Sequence, residues 1–432
     1  MISEFAKCNK HDVPMFKLIM LIAIFIICLH IYKKNKKKEV HENMINIEPV
    51  TNPTWNRNKC KYIMNNVMTD VLNDYNISKS NNENVDLMFP CLYNETSNEI
   101  SQMKLSSNKN EKIFIINNGD QLVAKNLLWE HMVSHFGLNI ASTMMPMTYI
   151  LYNTSDLIRF KNEHVRNDIY IMKKNIQQQQ GLKITNNCND VVSGYKNGYV
   201  IVQKLLQDAY VIPDKTNDGI INRKLNMRYY ILVICKNGNV DVFVHNNGFM
   251  YYTQDSFEKG TTDMSKNVTT GYFKDRSVYS RIPLTRHQFW DYLDDTKRNN
   301  LNKIEANLRN QKLKISNIVS DRIINLIKNV FLSMIGNICT QKNNAKCNKS
   351  SNIDGHVTFQ LFGADIALND EMYPTIMEVN KGPDLNSKDE KDKKIKYKVT
   401  SDIFRTIKII NDDDKNGFEK ILDYHDGLIN RD

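Results

Sequence analysis

The chain has 432 residues, of which 41% are hydrophobic and 25% are charged, as in an ordinary folded protein. This composition excludes a mainly disordered chain and a membrane protein with many spans. Lys and Arg number 58 and Asp and Glu 48, a formal net charge of +10. Residues 1–40 alone hold eight Lys and three acids. The remainder is only slightly basic, which argues against a protein that coats nucleic acid.

The apolar stretch at 15–32 predicts a membrane anchor. Its apolar run is uninterrupted from Leu18 to Leu29, and eighteen helical residues span about 27 Å, close to the hydrocarbon thickness of a bilayer. A cleaved signal peptide and a buried helix are the alternatives, but no small residues follow the run as a cleavage site requires. We therefore expect a short tail, 1–14, and then a single-pass signal-anchor.

The charges beside the predicted anchor indicate its orientation. Five Lys lie within residues 33–38, whereas three precede Leu18. Because cytosolic flanks are the more positive, the C-terminal bulk is predicted to face the cytosol, and the Lys cluster can also contact anionic headgroups. The eight cysteines are scattered with no C-x-x-C pair. They predict free thiols in a reducing compartment, in agreement with this orientation.

Composition shifts divide the rest of the chain into four parts. We predict a basic and polar tether at 33–58, an N-terminal α/β domain at 59–165, a larger core at 166–425 and a short tail at 426–432. Within the α/β domain, the sequence pattern predicts a loop, a buried strand and a helix at 81–110, 113–116 and 121–136.

The larger core has a clearer pattern of strands. Asn237-Gly238 predicts a hairpin turn, and Thr285 with Gln288 forms a capping box for a helix that begins near Arg286. A charged loop is expected at 387–398. The whole pattern predicts an α+β fold with antiparallel sheets and flanking helices. The β-rich segments lie at 170–173, 199–204, 228–234 and 240–245. Apolar residues recur at helical spacing over 323–335.

Residues 359–385 contain the most informative local pattern. Two predicted strands, 359–368 and 374–380, flank a polar turn. In a symmetric hairpin Asp365 lies opposite Glu378, and Asn380 lies on the same face. Opposed carboxylates repel, so a cation is expected between them. An oxygen donor set suits Mg²⁺ that holds phosphates; a different register, or a neighbouring Lys or Arg, is the alternative.

Cationic side chains form a second group. Alternation along a strand places Lys224, Asn226 and Arg228 on one face, and Lys173 and Lys204 each end a predicted strand. Cations that converge beside a hard-metal site are typical of a nucleotide triphosphate pocket, although a single Lys at a strand end is more often solvated. Neither G-x-x-x-x-G-K-[ST] nor G-x-G-x-x-G occurs, so a P-loop and a Rossmann fingerprint are unsupported.

Read in order, these segments resemble the tubulin tyrosine ligase-like family, whose fold is an ATP-grasp. The resemblance covers roughly residues 111–410. FQLFGAD resembles the family's F-Q/E-L-F/L-G-F-D, and MEVN its L/I-E-V-N. These two segments lie at 359–365 and 377–380. The other matching segments are MPMTY at 145–149, YIMK at 170–173, VQK at 202–204 and RKLNMR at 223–228.

The resemblance implies a role for each matching position. Lys173 would contact ATP phosphates, with Lys125 as a further contact, and Lys224 and Asn226 would also serve the nucleotide. Arg228 would act on the reacting substrates, together with Lys224. The adenine hinge would be lined by Gln203, Lys204, Leu205 and Leu206. Mg²⁺ would be held by Asp365, Glu378 and Asn380.

Four positions depart from the family pattern. Asn226 stands where the family has an acid, and Tyr251 stands where an Arg usually follows Gly248 by three positions. The Gly-rich loop is reduced to QGL at 180–182, and H-L-T-N survives at best as MSKN at 264–267. Losing an Arg near developing negative charge removes transition-state stabilisation.

The resemblance implies an ATP- and Mg²⁺-dependent ligase that joins a free amino acid (Tyr, Glu or Gly) to a protein tail through an acyl phosphate. Tubulin, or another protein with an acidic tail, is the implied partner, and nucleic acid is not expected. One alternative is an inactive, membrane-anchored module that binds tubulin or nucleotide. Another is the same chemistry on a protein other than tubulin.

Overall fold

The computed structural model describes most of the chain beyond the predicted anchor. The tail at 1–14, the anchor at 15–32 and the first part of the tether lie outside the described residues. Within the described part, no helix is both long enough and apolar enough to span a bilayer. The described residues are 45–431 without 59, 83, 93–94, 108, 177–180, 300, 341–352 and 426–427.

Short parallel strands open the described region. Each pairs with a neighbour across a connection too long for a hairpin, and two of these connections contain a helix. The expected antiparallel pairing is therefore wrong here, and of the strand predicted at 113–116 only Ile113 is in a strand, the two-residue strand Lys112–Ile113. The elements are β1 (Thr54–Asn56), α1 (Asn66–Asp74), β2 (Ser78–Lys79), β3 (Leu87–Met88), α2 (Thr96–Gln102) and β4 (Lys112–Ile113).

The helix predicted at 121–136 is interrupted. Ala124 has an extended backbone, with φ −71° and ψ 117°, so one helix ends before it and another begins after it. The Lys125 amide donates to Asn175 Oδ1 at 3.3 Å instead of continuing the first helix. The elements are α3 (Asp120–Val123), α4 (Lys125–Phe136) and α5 (Leu138–Met144).

A four-stranded antiparallel sheet follows, with apolar side chains buried on both faces. Its strand order is β5-β8-β6-β7, and the strand predicted at 170–173 is confirmed. The elements are β5 (Thr148–Ile150), α6 (Thr154–Glu163), β6 (Tyr170–Lys173), β7 (Leu182–Thr185), α7 (Cys188–Val192), a 3-10 turn (Gly194–Asn197) and β8 (Ile201–Lys204).

The main hydrophobic core packs against the larger sheet. Its described strands run β15-β14-β11-β10-β12-β4-β3-β1-β2, with β9 on β10 and β13 on β12. The predicted turn is confirmed, since Asn237 and Gly238 have φ of 53° and 86°. The additional strands are β9 (Val211–Thr216), β10 (Gly219–Lys236), β11 (Asn239–Tyr252), β12 (Val357–Leu368), β13 (Pro374–Lys381), β14 (Phe418–His425) and β15 (Leu428–Arg431).

Helices flank this sheet, and one of them replaces the charged loop expected at 387–398. Asp389 caps it, accepting from the Asp392 amide at 2.9 Å, and Asp392 pairs with Lys396 one turn later at 3.0 Å. Ion pairs at i,i+4 spacing stabilise a helix, and this helix also buries Val399, Ile403 and Phe404. The helices are α8 (Met264–Asn267), α9 (Arg286–Asp294, with its capping box), α10 (Lys303–Asn310), α11 (Ile315–Met334) and α12 (Glu390–Thr406), with a 3-10 turn at Arg276–Ser280.

Two disulfides contradict the free-thiol prediction. Cys60 is bonded to Cys91 and Cys235 to Cys339, with Cα separations of 5.2 and 5.7 Å that suit a bridge. The pairs are 31 and 104 residues apart in sequence, so only the tertiary fold brings them together. Cys188 is free.

The α+β prediction is otherwise confirmed, and the two sheets with their flanking helices fit an ATP-grasp-like fold.

Candidate active site

Three neighbouring strands align three charged side chains. In the register of the large sheet, Arg228 of β10 is the partner of Asp365 of β12, and Asp365 is the partner of Glu378 of β13. The predicted opposition of the two carboxylates is therefore confirmed. Cross-strand partners share a face of the sheet, so the three side chains form a row across it.

Arg228 neutralises one of the two carboxylates. Its Nε and Nη2 donate to the two oxygens of Asp365 at 2.6 and 3.0 Å. Burial nevertheless raises the pKa of Asp365 to about 6, because Arg228 only partly offsets the loss of water and Glu378 adds repulsion. The expected cation between opposed carboxylates is thus supplied in part by the chain itself.

Glu378 faces two lysines. Lys125 Nζ lies 3.7 Å from Glu378 Oε2, and the Asn380 amide donates to Oε1 at 3.0 Å. Burial alone would raise the pKa of Glu378, but Lys125 and Lys173 hold it below its usual value. Lys173 is itself buried, and this desolvation lowers its pKa to about 8 even though Glu378 opposes the shift. Lys125 is the first residue of α4, directly after the break at Ala124.

Lys224 is a buried cation whose contacts are a carbonyl and an aromatic ring. Its Nζ donates to the Leu206 carbonyl at 3.1 Å and lies 5.3 Å from the centre of the Phe257 ring. Burial, reinforced by repulsion from Lys173, lowers the pKa of Lys224 to about 7. An amine in this setting gains stability when an anion binds beside it.

The four residues predicted to line the adenine hinge, at 203–206, are divided between the interior and the surface. Gln203 is buried and donates to Thr148 Oγ1 at 2.9 Å, while its Oε1 has no hydrogen-bond partner in the described structure. Leu205 is buried in the small sheet. The Lys204 ammonium pairs with Asp168 at 3.0 Å, and its side chain is 53% exposed. The structure therefore does not bring the Lys204 side chain to the buried cations.

The two substituted positions lie next to one another. Asn226 and Tyr251 are register partners in β10 and β11. Asn226 Nδ2 donates to Thr269 Oγ1 at 3.0 Å, and its buried Oδ1 has no partner among the described residues. The Tyr251 ring centre lies 5.3 Å from the Arg228 guanidinium. An amide and a phenol thus border the row of Arg228, Asp365 and Glu378 where the family pattern has charged groups.

The donor set fits a hard divalent ion. Asp365 and Glu378 offer carboxylate oxygens, and Asn380 offers an amide oxygen beside them. Among the described residues no cluster of three or more His, Cys, Asp or Glu side chains is arranged to hold a metal, so an amide oxygen or bound phosphate would have to complete the coordination. Mg²⁺ binds in this way, through one or two carboxylates and substrate phosphates.

Two other departures have different outcomes. Gln180 lies outside the described residues, and the neighbouring Gly181 has φ +80°, which suits glycine. The segment at 264–267 forms α8, whose first turn is capped by Asp263.

Sequence reasoning missed Asn175, which accepts from the Lys125 amide and donates to Asn126 Oδ1 at 2.9 Å. The signal was its position two residues after Lys173.

A family model described as the tubulin-tyrosine ligase family matches residues 103–417, a span that contains every side chain of this site. The chain belongs to the tubulin-tyrosine ligase family. The tubulin polyglutamylase ttll-4 of Caenorhabditis briggsae is 22% identical over 293 residues, which are 65% of this chain and 43% of that protein. The match thus spans less than half of that relative.

Proposed function

We propose that the protein is an ATP- and Mg²⁺-dependent carboxylate–amine ligase that adds an amino acid to a protein tail. The observation that carries the proposal is the pair of buried amines, Lys173 and Lys224, beside the row of Arg228, Asp365 and Glu378. Lys224 contacts no carboxylate in the described structure, so a polyphosphate supplies the counter-charge that the protein leaves out.

The proposed reaction has two steps. The tail carboxylate attacks the γ-phosphoryl group of ATP, which gives an acyl phosphate and ADP, and the amine of the incoming amino acid then displaces phosphate to form an amide. Mg²⁺ would supply charge neutralisation at the phosphates. Lys173 and Lys224 bind phosphate oxygens, with Lys125 beside Glu378. Arg228 stabilises the charge that develops at the reacting groups.

Tubulin is the first candidate for the acceptor. The family and the name of the relative both support it. The family's description names tyrosine and the relative's name glutamate, and glycine is the third amino acid that the resemblance implies. Asn226 and Tyr251 favour a second candidate function, an inactive module that binds nucleotide or tubulin, because each replaces a charged group of the family pattern. The same ligase chemistry on another acidic-tailed protein is the third.

One experiment separates these candidates. The full-length protein is incubated with tubulin, Mg-ATP and a mixture of labelled amino acids, and added masses are mapped to the tails by mass spectrometry. We expect a mass increase that requires ATP and is lost in Glu378→Gln. The matched control is Glu371→Gln, which changes an exposed acid in the same hairpin. Nucleotide binding without any ligation would favour the inactive module, and ligation only in a cell extract without tubulin would favour another acceptor.

A further inference from the structure

A buried lysine ends the strand that carries Glu378. Lys381 is the last residue of β13 and is only 4% exposed. Its ammonium pairs with Asp120, the first residue of α3, and donates to Thr96 Oγ1 at 3.2 Å. The Thr96 amide in turn donates to Asp120 Oδ2 at 2.6 Å. Because a buried ammonium is costly unless an acid compensates it, this contact ties the start of α3 to the end of β13.

The next helix meets the same strand. Lys125 begins α4, five residues after Asp120, and its ammonium lies 3.7 Å from Glu378. Successive side chains of a strand point to opposite faces, so Glu378 and Lys381, three positions apart in a regular stretch of β13, point to opposite faces. The two ion pairs therefore connect one short segment, from Asp120 to Lys125, to both faces of a single strand.

The edge of β13 has room for this segment. Among the described strands β13 pairs with β12 alone, and α3 packs against it. Leu122 of α3 lies in the main core, but an apolar contact has no preferred direction. The pair of Asp120 and Lys381 has one, so it fixes the point along β13 at which α3 begins.

A second contact links Lys125 to the small sheet. Its amide donates to Asn175 Oδ1 at 3.3 Å, and Asn175 lies two residues beyond the end of β6. This contact holds the main chain of Lys125 and does not link it to β13. The link to the larger sheet, where Glu378 lies, runs through Asp120 and Lys381.

Resting on the ligase function proposed above, we infer that Asp120 and Lys381 are positioning residues that set the ammonium of Lys125 against Glu378 before ATP binds. Neither residue touches a substrate in this role, since both act through Lys125. Without the pair, the start of α3 is released from β13 and Lys125 loses its place beside Glu378. Phosphate binding then weakens, because ordering a mobile side chain on binding reduces affinity.

A zero-length cross-link reports the position of Lys125 in the free protein. A carbodiimide joins a carboxylate to an adjacent amine as an amide, while it takes up the water that is lost and becomes a urea. The bond between Lys125 and Glu378 in the full-length protein is quantified by mass spectrometry of its peptides. The bond between Lys204 and Asp168, which lie 3.0 Å apart, serves as the internal reference.

Three variants test the pair. Asp120→Asn should lose most of the cross-link between Lys125 and Glu378, whereas Asp120→Glu keeps the carboxylate and should retain a larger share of it. Asp120→Asn leaves Lys381 buried without its carboxylate, which can impair folding. Lys381→Met removes the buried charge as well as the pair, so it tests the same contact without that burden and should also lose the cross-link.

ATP binding tests the consequence. In calorimetric titrations with Mg-ATP, Asp120→Asn and Lys381→Met should each bind about tenfold more weakly, a loss typical of coupling within one salt-bridge network. In a Lys125→Ala background the same changes should have little further effect, because the residue through which they act is absent. The matched control is Asp70→Asn, which breaks a pair with Lys393 at 2.8 Å between α1 and α12 and should change neither the affinity nor the cross-link.

Four results would overturn the inference. They are a native protein that forms no bond between Lys125 and Glu378, native yields of that bond in both Asp120→Asn and Lys381→Met, loss of the reference cross-link together with it in both variants, and equal losses of ATP affinity with and without Lys125. A native protein that binds no ATP would contradict the proposed ligase, and the cross-link in the free protein would still decide whether the pair positions Lys125. Loss of the cross-link with unchanged ATP affinity would support the positioning of Lys125 and contradict its assignment to the phosphates.

Discussion

Arg228 and Asp365 are direct partners across β10 and β12, and the guanidinium of one holds both carboxylate oxygens of the other at 2.6 and 3.0 Å. This pair explains how a carboxylate can lie opposite Glu378 inside the protein. It also means that Asp365 cannot be removed without leaving Arg228 buried and unpaired, which typically costs about 3–5 kcal/mol. Glu378 is therefore the better position at which to test the metal site.

The first prediction concerns Mg²⁺. Glu378→Gln should abolish the dependence of ATP binding on Mg²⁺ while the fold persists, because the change removes one charged ligand and relieves its repulsion with Asp365. The measurement is calorimetric titration with ATP in Mg²⁺ and in EDTA. Glu371→Gln, in the turn of the same hairpin, serves as the control. A variant that still binds Mg-ATP like the native protein would contradict the assignment of Glu378.

The second prediction concerns pH. The pKa of Lys224 is about 7 in the free protein, so its amine is mostly neutral above that pH, and bound phosphate favours the protonated form. ATP affinity should therefore fall as pH rises above about 7, by up to about tenfold per pH unit. Proton uptake on binding at pH 8 is measured by calorimetry in buffers of different ionisation enthalpy. In Lys224→Arg the side chain stays charged at every pH used, so the variant should take up fewer protons on binding ATP than the native protein does. Equal proton uptake by the variant and the native protein would show that a group other than Lys224 titrates.

The third prediction concerns the start of β10. Asp214 is buried and binds both Arg223, at 3.0 Å, and Arg281, at 2.6 Å. Asp214→Ala leaves Arg223 without its carboxylate, and we expect the free energy of unfolding to fall by about 3–5 kcal/mol. Arg281→Ala removes the more exposed partner and should cost about 1 kcal/mol or less. Denaturant unfolding compares them, and similar losses in both variants would refute the assignment of Arg223 as the dominant partner.

The fourth prediction concerns the anchor and the thiols. Removal of residues 1–32 should release the protein from membranes, and the intact chain should keep its bulk in the cytosol, as the flanking lysines indicate. Protease protection and glycan mapping in cells measure the orientation. A glycan at Asn76 would show the opposite orientation, which would also suit the bonds Cys60–Cys91 and Cys235–Cys339, since disulfides persist in oxidising compartments.

Several features could be read from the sequence because they depend on nearby residues. The opposition of Asp365 and Glu378 follows from the symmetry of one hairpin, and strand alternation places Lys224 and Arg228 on one face. The Asn237-Gly238 turn and the capping box at Thr285 are local in the same sense, since each is fixed by the φ and hydrogen-bonding demands of a few residues.

Local rules also failed where two local signals compete. The charge of residues 387–398 favours a loop, but i,i+4 pairs and a capping Asp389 make most of the run helical. The apolar pattern at 121–136 favours one helix, but the extended Ala124 and the bond from the Lys125 amide to Asn175 divide it. That division depends on a residue fifty positions away, which no local pattern contains.

The sequence by itself determined the central strands of the larger sheet, the carboxylate pair and the family, because each depends on short-range periodicity or on residue identity. Only the tertiary structure decided which cations reach those carboxylates. Lys125 and Lys173 come from other elements and converge on Glu378, whereas Lys204 turns to Asp168 at the surface. Burial, and with it the lowered pKa of Lys224 and the raised pKa of Asp365, likewise exists only once distant segments have packed and excluded water.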